Sequence, residues 1–297
     1  MRINPDTTAN LLTMLSAAKE QEETALRQLS SGRRIQVASD DPAASAAVTL
    51  NTQAQSQQDQ YLQSIASVRE SLSTADSTLN SVVRSLERAV SLGVEGANGT
   101  LSADNRISLA NEVQGIRDQI LGLANSSFRG TYLFGGTTNN TVPFTSDVTQ
   151  PSGIRYDGNQ QTNSVLIGEG RSISTGVPGD KLFLDPSSNV FFALQKLADS
   201  LNANDADAVA AASGQVRAAL AHVSNVRVTY GNNLNQLDSG EDFLQQAKLN
   251  TQARENSLVA ADPADAIIQL RQAQFARDAT LAAAARTQFT SLLDYLQ

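Results

Sequence analysis

A chain of 297 residues with an apolar fraction of 40% has ample length for a core and for more than one domain. Its net charge of −8, without any Lys/Arg run, argues against a nucleic-acid or anionic-membrane surface. With no Cys and a single His there is no disulfide framework, no thiolate chemistry and little from which to build a zinc site. Aromatic residues make up only 5%, none of them Trp, which suits thin seams of Ala, Val, Leu and Ile better than one thick globule.

Met1 to Asp6 lead into a mixed polar segment with no apolar run, so no cleaved secretory signal is expected and nothing approaches a membrane span. From about Asp6 to Ser31, Leu11, Leu15, Ala18, Ala25 and Leu29 share one helical face, interrupted by Glu22. Gly32 ends this helix, and Arg33 and Arg34 place charge where its dipole is negative; contact with neighbouring subunits is an equal reading of the two arginines. Ile35 to Ala38 reads as extended. Asp41 then caps a new helix whose first residue, Pro42, lacks the N–H that would be orphaned there.

That helix carries the strongest pattern in the chain. Tyr61, Ile65, Val68, Leu72, Ala75, Leu79, Val82, Leu86 and Ala89 alternate steps of four and three, which is a heptad seam. From Pro42 to about Val94 it would be roughly 80 Å long, too long to bury its stripe in a compact globule. It fades at Gly93, Gly96 and Asn98-Gly99, and Ser102 caps a second helix in which Leu109, Val113, Ile116, Ile120 and Leu123 repeat the rhythm to about Ser127.

Between about Arg129 and Pro186 the period becomes two. Short strands are expected at 131–137, 154–158, 165–167 and 171–175, as a small β domain leaning on the helices. Helix returns at Val190 to Leu197 and from about Asp205, where Val216, Val223, Tyr230, Leu237, Leu244 and Leu258 hold one heptad position with only Thr251 polar. Asp262-Pro263 repeats the cap-and-proline signal, and Ile268, Phe275, Ala282, Phe289 and Leu296 start a new register. The ten-residue step from Leu258 to Ile268 is either a stammer or a fresh helix.

Three seams of one period predict a mainly α fold: a long coiled-coil-like bundle formed by the N- and C-terminal thirds, with a small inserted β domain. The expected division is 1–38 with 262–297 as terminal helices, 39–130 with 187–261 as a helical rod, and 131–186 as an outer β domain. The terminal helices can pair with each other but cannot bury all their apolar surface as an isolated pair. They are expected to order fully only against copies of themselves or relatives. The candidate assembly interface is Leu11, Leu15, Leu29, Arg33, Arg34, Ile268, Phe275, Phe289, Leu292, Leu293 and Leu296.

No catalytic or cofactor constellation competes with this reading. Asp40-Asp41 reads better as a helix cap than as an acid pair, and Gly168-Glu169-Gly170 is a turn without a βαβ context. His222 has no neighbour that would make a triad or a ligand set. Asn98-Gly99-Thr100 and Asn139-Asn140-Thr141 match a glycosylation acceptor, but turn chemistry explains both. No metal or cofactor is expected.

Several of these residues also carry a family resemblance. Leu29-Ser30-Ser31-Gly32-Arg33-Arg34-Ile35, followed by Ser39-Asp40-Asp41-Pro42-Ala43-Ala44, resembles the N-terminal signature of the bacterial flagellin and hook-associated protein family, and Gly96-Ala97-Asn98-Gly99-Thr100 resembles a second patch of it. Gly130 to Thr137 and Leu292-Leu293-Asp294-Tyr295-Leu296 are similar to the junction members of the family rather than to its filament flagellins.

The resemblance implies a non-enzymatic, extracellular structural subunit of the flagellum, joining hook to filament and required for motility. Its implied partners are copies of itself in a ring, the preceding hook-associated junction protein, flagellin and a flagellar export chaperone, with export through the flagellar type III apparatus. Where flagellins detected by the innate immune receptor carry Arg before Glu-Leu-Ala-Val, this chain reads Val90-Ser91-Leu92-Gly93-Val94, so that recognition is not expected. A filament flagellin is the near alternative, and a cell-wall enzyme on a helical rod the remote one.

Overall fold

The computed structural model describes the backbone of residues 6–138 and 140–294, and the side chains of 9–138 and 140–285. Among the described residues seven helices and six short strands follow one another: α1 (Asp6–Ser31), α2 (Pro42–Gly96), α3 (Ala103–Ala124), β1 (Ser127–Phe128), β2 (Thr131–Tyr132), β3 (Phe144–Ser146), β4 (Ile154–Tyr156), β5 (Ser164–Gly168), β6 (Arg171–Ser174), α4 (Gly179–Phe183), α5 (Val190–Asn202), α6 (Ala206–Val259) and α7 (Pro263–Asp294). They form two units, Met1–Gln57 with Ala247–Gln297, and Gln58–Gln246.

In the second unit the seams read from the sequence meet in one core. Ile65, Leu72, Leu79, Val82, Leu86 and Ala89 of α2 are fully buried, as are Val113 and Ile120 of α3 and Val216, Val223 and Leu237 of α6; α5 adds Leu194, Leu197 and Leu201. Each such aliphatic side chain removed from water stabilises the bundle by about 1.5–3 kcal/mol. Polar links run along the same helices: Arg227 reaches both Asp76 oxygens at 3.0 and 3.2 Å and Asn80 at 3.1 Å, and Arg69 pairs with Asp238 at 2.8 Å and with Glu241. All are partly exposed, so they set rotation and register more than stability.

Two close crossings explain the glycines that end α2. A Cβ on Gly93 would stand 2.9 Å from both Cβ and Oγ of Ser213, and one on Gly96 would stand 2.3 Å from Leu201 Cδ2. Past Gly96 the turn is held by buried Arg106, whose guanidinium donates to the Gly96 carbonyl at 2.9 Å, to the Asn98 carbonyl at 2.8 Å and to the Asn204 side chain.

The insertion is not one sheet. It is three separate antiparallel hairpins, β1–β2, β3–β4 and β5–β6. The strand expected at 131–137 stops at Tyr132, because the chain turns at Gly136, whose φ of +70° suits glycine and where any Cβ would stand 2.3 Å from Asn159 backbone and side-chain oxygens. Strands β1 and β3 and helix α4 were not foreseen. The hairpins do lean on helices: Phe144 packs edge-on against Phe183 of α4 at 5.4 Å and lies 6.0 Å from Phe191 of α5, while Phe134 meets Phe183 edge-on at 5.5 Å. The few aromatic residues of the chain are concentrated here, where a short insertion needs large buried area per residue. On α6 the buried Tyr230 hydroxyl accepts from the Val177 N–H at 3.2 Å, and burial pushes its pKa up to about 12.

Candidate assembly surface

The first unit is built from the connector that follows α1 and the corner between α6 and α7. Gly32, at φ +67°, turns the chain out of α1, and the next residues add a short antiparallel bridge to the corner: Arg34 N–H donates to the Val259 carbonyl at 2.7 Å and Ala261 N–H to the Gly32 carbonyl at 2.9 Å. Ile35, Ala44 and Val259 close a small core beneath it, with Val48 and Leu258 packed against them. Asp262 caps α7, accepting from Ala264 N–H at 2.8 Å ahead of Pro263, so the register break after Leu258 is a fresh helix and not a stammer.

Two adjacent carboxylates organise the connector. Asp40 accepts from the N–H groups of Gln36 and Val37 at 2.9 and 3.1 Å, and Asp41 from Ala44 N–H at 3.0 Å at the start of α2. Those backbone donors, assisted at Asp41 by Arg34, hold both carboxyls below the ordinary value of 3.8. Asp41 is thus a helix cap, as its place before Pro42 predicts, whereas Asp40 caps no helix and holds the turn of the connector through donors that precede it.

The arginines act differently from the expectation drawn at the end of α1. Arg34 reaches the Leu258 carbonyl at 3.1 Å and Asp41 at 3.2 Å, so its charge serves the C-terminus of α6 and not that of its own preceding helix. Arg33 faces Glu255 of α6 at 3.7 Å, and Glu255 also accepts from Gln55 of α2 at 2.8 Å. Both arginines remain about half exposed.

Beyond the corner, α1 and α7 pack along each other. On α1 the contact face is Leu11, Leu15, Ala18, Glu22 and Ala25, with Ala18 and Ala25 buried and both leucines half-buried, as the spacing predicts. Leu29, placed on the same face by sequence, is exposed at the end of the pairing. On α7 this contact is not made by the register that begins at Ile268. The side chains turned inward are Ala266, Leu270, Ala273, Arg277 and Ala284, while Ile268 and Phe275 are 53% and 77% exposed. Glu22, which interrupts the apolar face of α1, receives two bonds from Arg277 at 2.8 and 3.0 Å.

Leu12, Leu26 and Met14 on α1, and Ile267, Ile268, Phe275 and Leu281 on α7, are thus exposed apolar side chains on two helices already joined to each other. The side chains of Phe289, Leu292 and Leu293, and the whole of Leu296, lie outside the described residues. Glu22, Arg277, Ala266 and Ala273 were missed as participants. Small and charged residues carry little weight in an apolar pattern, although their four-three spacing was present. Among the described residues there is no cluster able to hold a metal ion and no helix long and apolar enough to cross a membrane.

Residues 6–139 match the bacterial flagellin N-terminal helical region, and residues 214–296 the bacterial flagellin C-terminal helical region. The chain belongs to the bacterial flagellin family, whose members are structural components of the flagellum. Within it, the chain is 30% identical over 259 residues to flagellar hook-associated protein 3 of Escherichia coli (strain K12), covering 79% of this chain and 80% of that protein. It is 35% identical over 163 residues to flagellar hook-associated protein 3 of Salmonella typhimurium, 54% of this chain and 50% of that one. The fold is similar to the crystal structure of flagellar hook-associated protein 3 from Legionella pneumophila, with a TM-score of 0.65 at 16% identity over 71% of this chain and 98% of that one.

Proposed function

We propose that this chain is a structural subunit of the junction between flagellar hook and filament. The observation that carries the reading is the α1/α7 pair: two helices that satisfy each other along alanine-rich faces yet keep Leu12, Leu26, Ile268 and Phe275 turned to solvent. Apolar side chains repeated along a helix on its outer side are a surface awaiting another helix. In the family to which the chain belongs, that partner is another subunit.

On this reading Leu11 and Leu15 support the pair from within, while Leu29, Ile268 and Phe275 meet neighbours. Arg33 and Arg34 add half-exposed charge at its base. The terminal helices form the assembly-forming layer, and residues 131–186 face solvent. The partners are copies of the chain in a ring, the preceding hook-associated junction protein on one side and flagellin on the other, with an export chaperone covering the C-terminal helix before assembly. The protein works outside the cell without catalysing a reaction.

Immunogold electron microscopy of flagellated cells, with antibody against residues 131–186, tests this directly. A narrow band where hook meets filament is the expected result. Label along the whole filament would make the chain a flagellin, and absence of flagellar label by an antibody that recognises the native protein would remove it from the flagellum.

A further inference from the structure

We infer that the ion pair between Glu22 and Arg277 is a register lock, which fixes how far α1 and α7 slide along each other and thereby aligns the apolar faces they present to partners. The residues buried on either side of the contact are Ala18 and Ala25 on α1 and Ala266 and Ala273 on α7, each pair one heptad apart. These buried alanines allow close approach, and the larger residues of the two faces, Leu11, Leu15 and Leu270, are only half-buried, so no large knob is fully seated in a particular hole. A slip of seven residues exchanges one buried alanine for another, so beyond the backbone bridge that pins the base of the pair, where Arg34 N–H meets the Val259 carbonyl and Ala261 N–H the Gly32 carbonyl, side-chain packing discriminates poorly between registers.

The charges discriminate strongly. Glu22 and Arg277 sit on the contact face, with side-chain exposures of 13% and 37%, and meet through two bonds at 2.8 and 3.0 Å. In an antiparallel pair, a seven-residue slip in one direction sets Glu22 opposite Ala284 and Arg277 opposite Leu29; in the other it sets Glu22 opposite Leu270 and Arg277 opposite Leu15. Either slip leaves a largely enclosed carboxylate without a partner and pushes a guanidinium against leucine, which a helix pair of marginal stability does not tolerate.

Arg277 also touches Asp278, its chain neighbour, at 3.1 Å. That contact moves with the helix and is blind to register, so of the contacts Arg277 makes with charged groups the bond to Glu22 is the one that reports alignment. The consequence for assembly rests on the function proposed above: a slip of one heptad would offset Leu12 and Leu26 from Ile268 and Phe275 by about 10 Å, enough to break a composite face into two misaligned halves.

The lack of any native Cys makes the register directly readable. In the full-length chain, Ala25→Cys with Ala273→Cys reports the observed register, while Ala18→Cys with Ala273→Cys and Ala25→Cys with Thr280→Cys report the two slips. Intramolecular disulfides are counted as the share of the monomer fraction that has lost both free thiols after mild oxidation, in purified protein and in isolated flagella. The observed-register pair should cross-link in preference to either slipped pair by at least about tenfold. Arg277→Leu or Glu22→Gln should erase most of that preference, and the exchange Glu22→Arg with Arg277→Glu should restore it.

Unchanged preference in both single variants would overturn the lock, as would slipped cross-links in the unaltered background or no intramolecular cross-link in either preparation. Failure of the immunogold test with the register preference intact would overturn the junction reading and leave the lock standing.

Discussion

The guanidinium of Arg34 donates to the carbonyl of Leu258 at 3.1 Å, joining positions 224 residues apart and tying the connector after α1 to the end of α6. The same side chain touches Asp41 at 3.2 Å, so one residue links the end of one helix to the cap of another. Replacing it with Ala should leave the second unit unchanged and loosen the connector. Limited proteolysis should then cut within residues 32–41 faster than in the parent, with fragments from 58–246 appearing no sooner. Arg34→Lys should restore only part of the protection, because both acceptors are reached by one terminal nitrogen of the guanidinium and the shorter, more strongly hydrated ammonium holds them less well.

Acid should open the same corner. The carboxyls of Asp40 and Asp41 are held below 3.8 by backbone donors. A depressed folded-state pKa contributes stability that is present above the unfolded value and is lost as pH falls through the folded one. Protection of the Gln36, Val37 and Ala44 amides, measured as hydrogen exchange relative to an unstructured chain at the same pH, should therefore hold above the unfolded value of 3.8 and fall as the pH drops below it. Asp40→Asn should remove the effect at Gln36 and Val37 while sparing Ala44.

Burial raises the pKa of both Tyr156 and Tyr230 to about 12. For such groups stability is complete below the unfolded value, near 10, and is lost as pH rises toward the folded one. An ultraviolet titration of tyrosinate should show these two ionising late and together with alkaline unfolding. Tyr230→Phe should simplify that last step and cost about 1 kcal/mol, since the Val177 N–H loses its acceptor.

At the tight crossing of α2 and α6, Gly93→Ala should destabilise the second unit by about 1–3 kcal/mol, because the new methyl meets Ser213. Ser213 Oγ is buried without a hydrogen-bond partner. Combining Gly93→Ala with Ser213→Gly should recover much of the loss, and a double-mutant cycle by urea denaturation measures the coupling. Purely additive costs would mean that the helices yield instead of clashing.

Phe275→Asp should leave the unfolding midpoint within about 0.5 kcal/mol of the parent, since that ring is exposed in the isolated chain. Motility should nevertheless be lost when the variant replaces the parent in cells. A swimming assay beside a denaturation curve separates the two, and full motility would remove Phe275 from the interface.

Much of this molecule is readable from residue spacing. The seam from Tyr61 to Ala89, its counterpart from Val216 to Leu244 and the Asp-Pro starts of α2 and α7 all follow from helical period and from the chemistry of helix ends, which are properties of residues a few places apart. The insertion was less legible because strands of two or three residues, such as β1 and β3, are too short to display a period and exist only through their partners. Spacing also picks out the register of Ile268 and Phe275 on the C-terminal helix without revealing that another face of that helix meets α1. Ile268 and Phe275 dominate any apolar pattern, yet Ala266 and Ala273 make the intramolecular contact, because close helix approach favours the smallest side chain. Likewise the sequence holds the charges of Arg34, Glu22 and Arg277, but nothing local pairs them with Leu258 or with each other. Those partners lie more than two hundred residues away, and only the folded chain brings them within bonding distance.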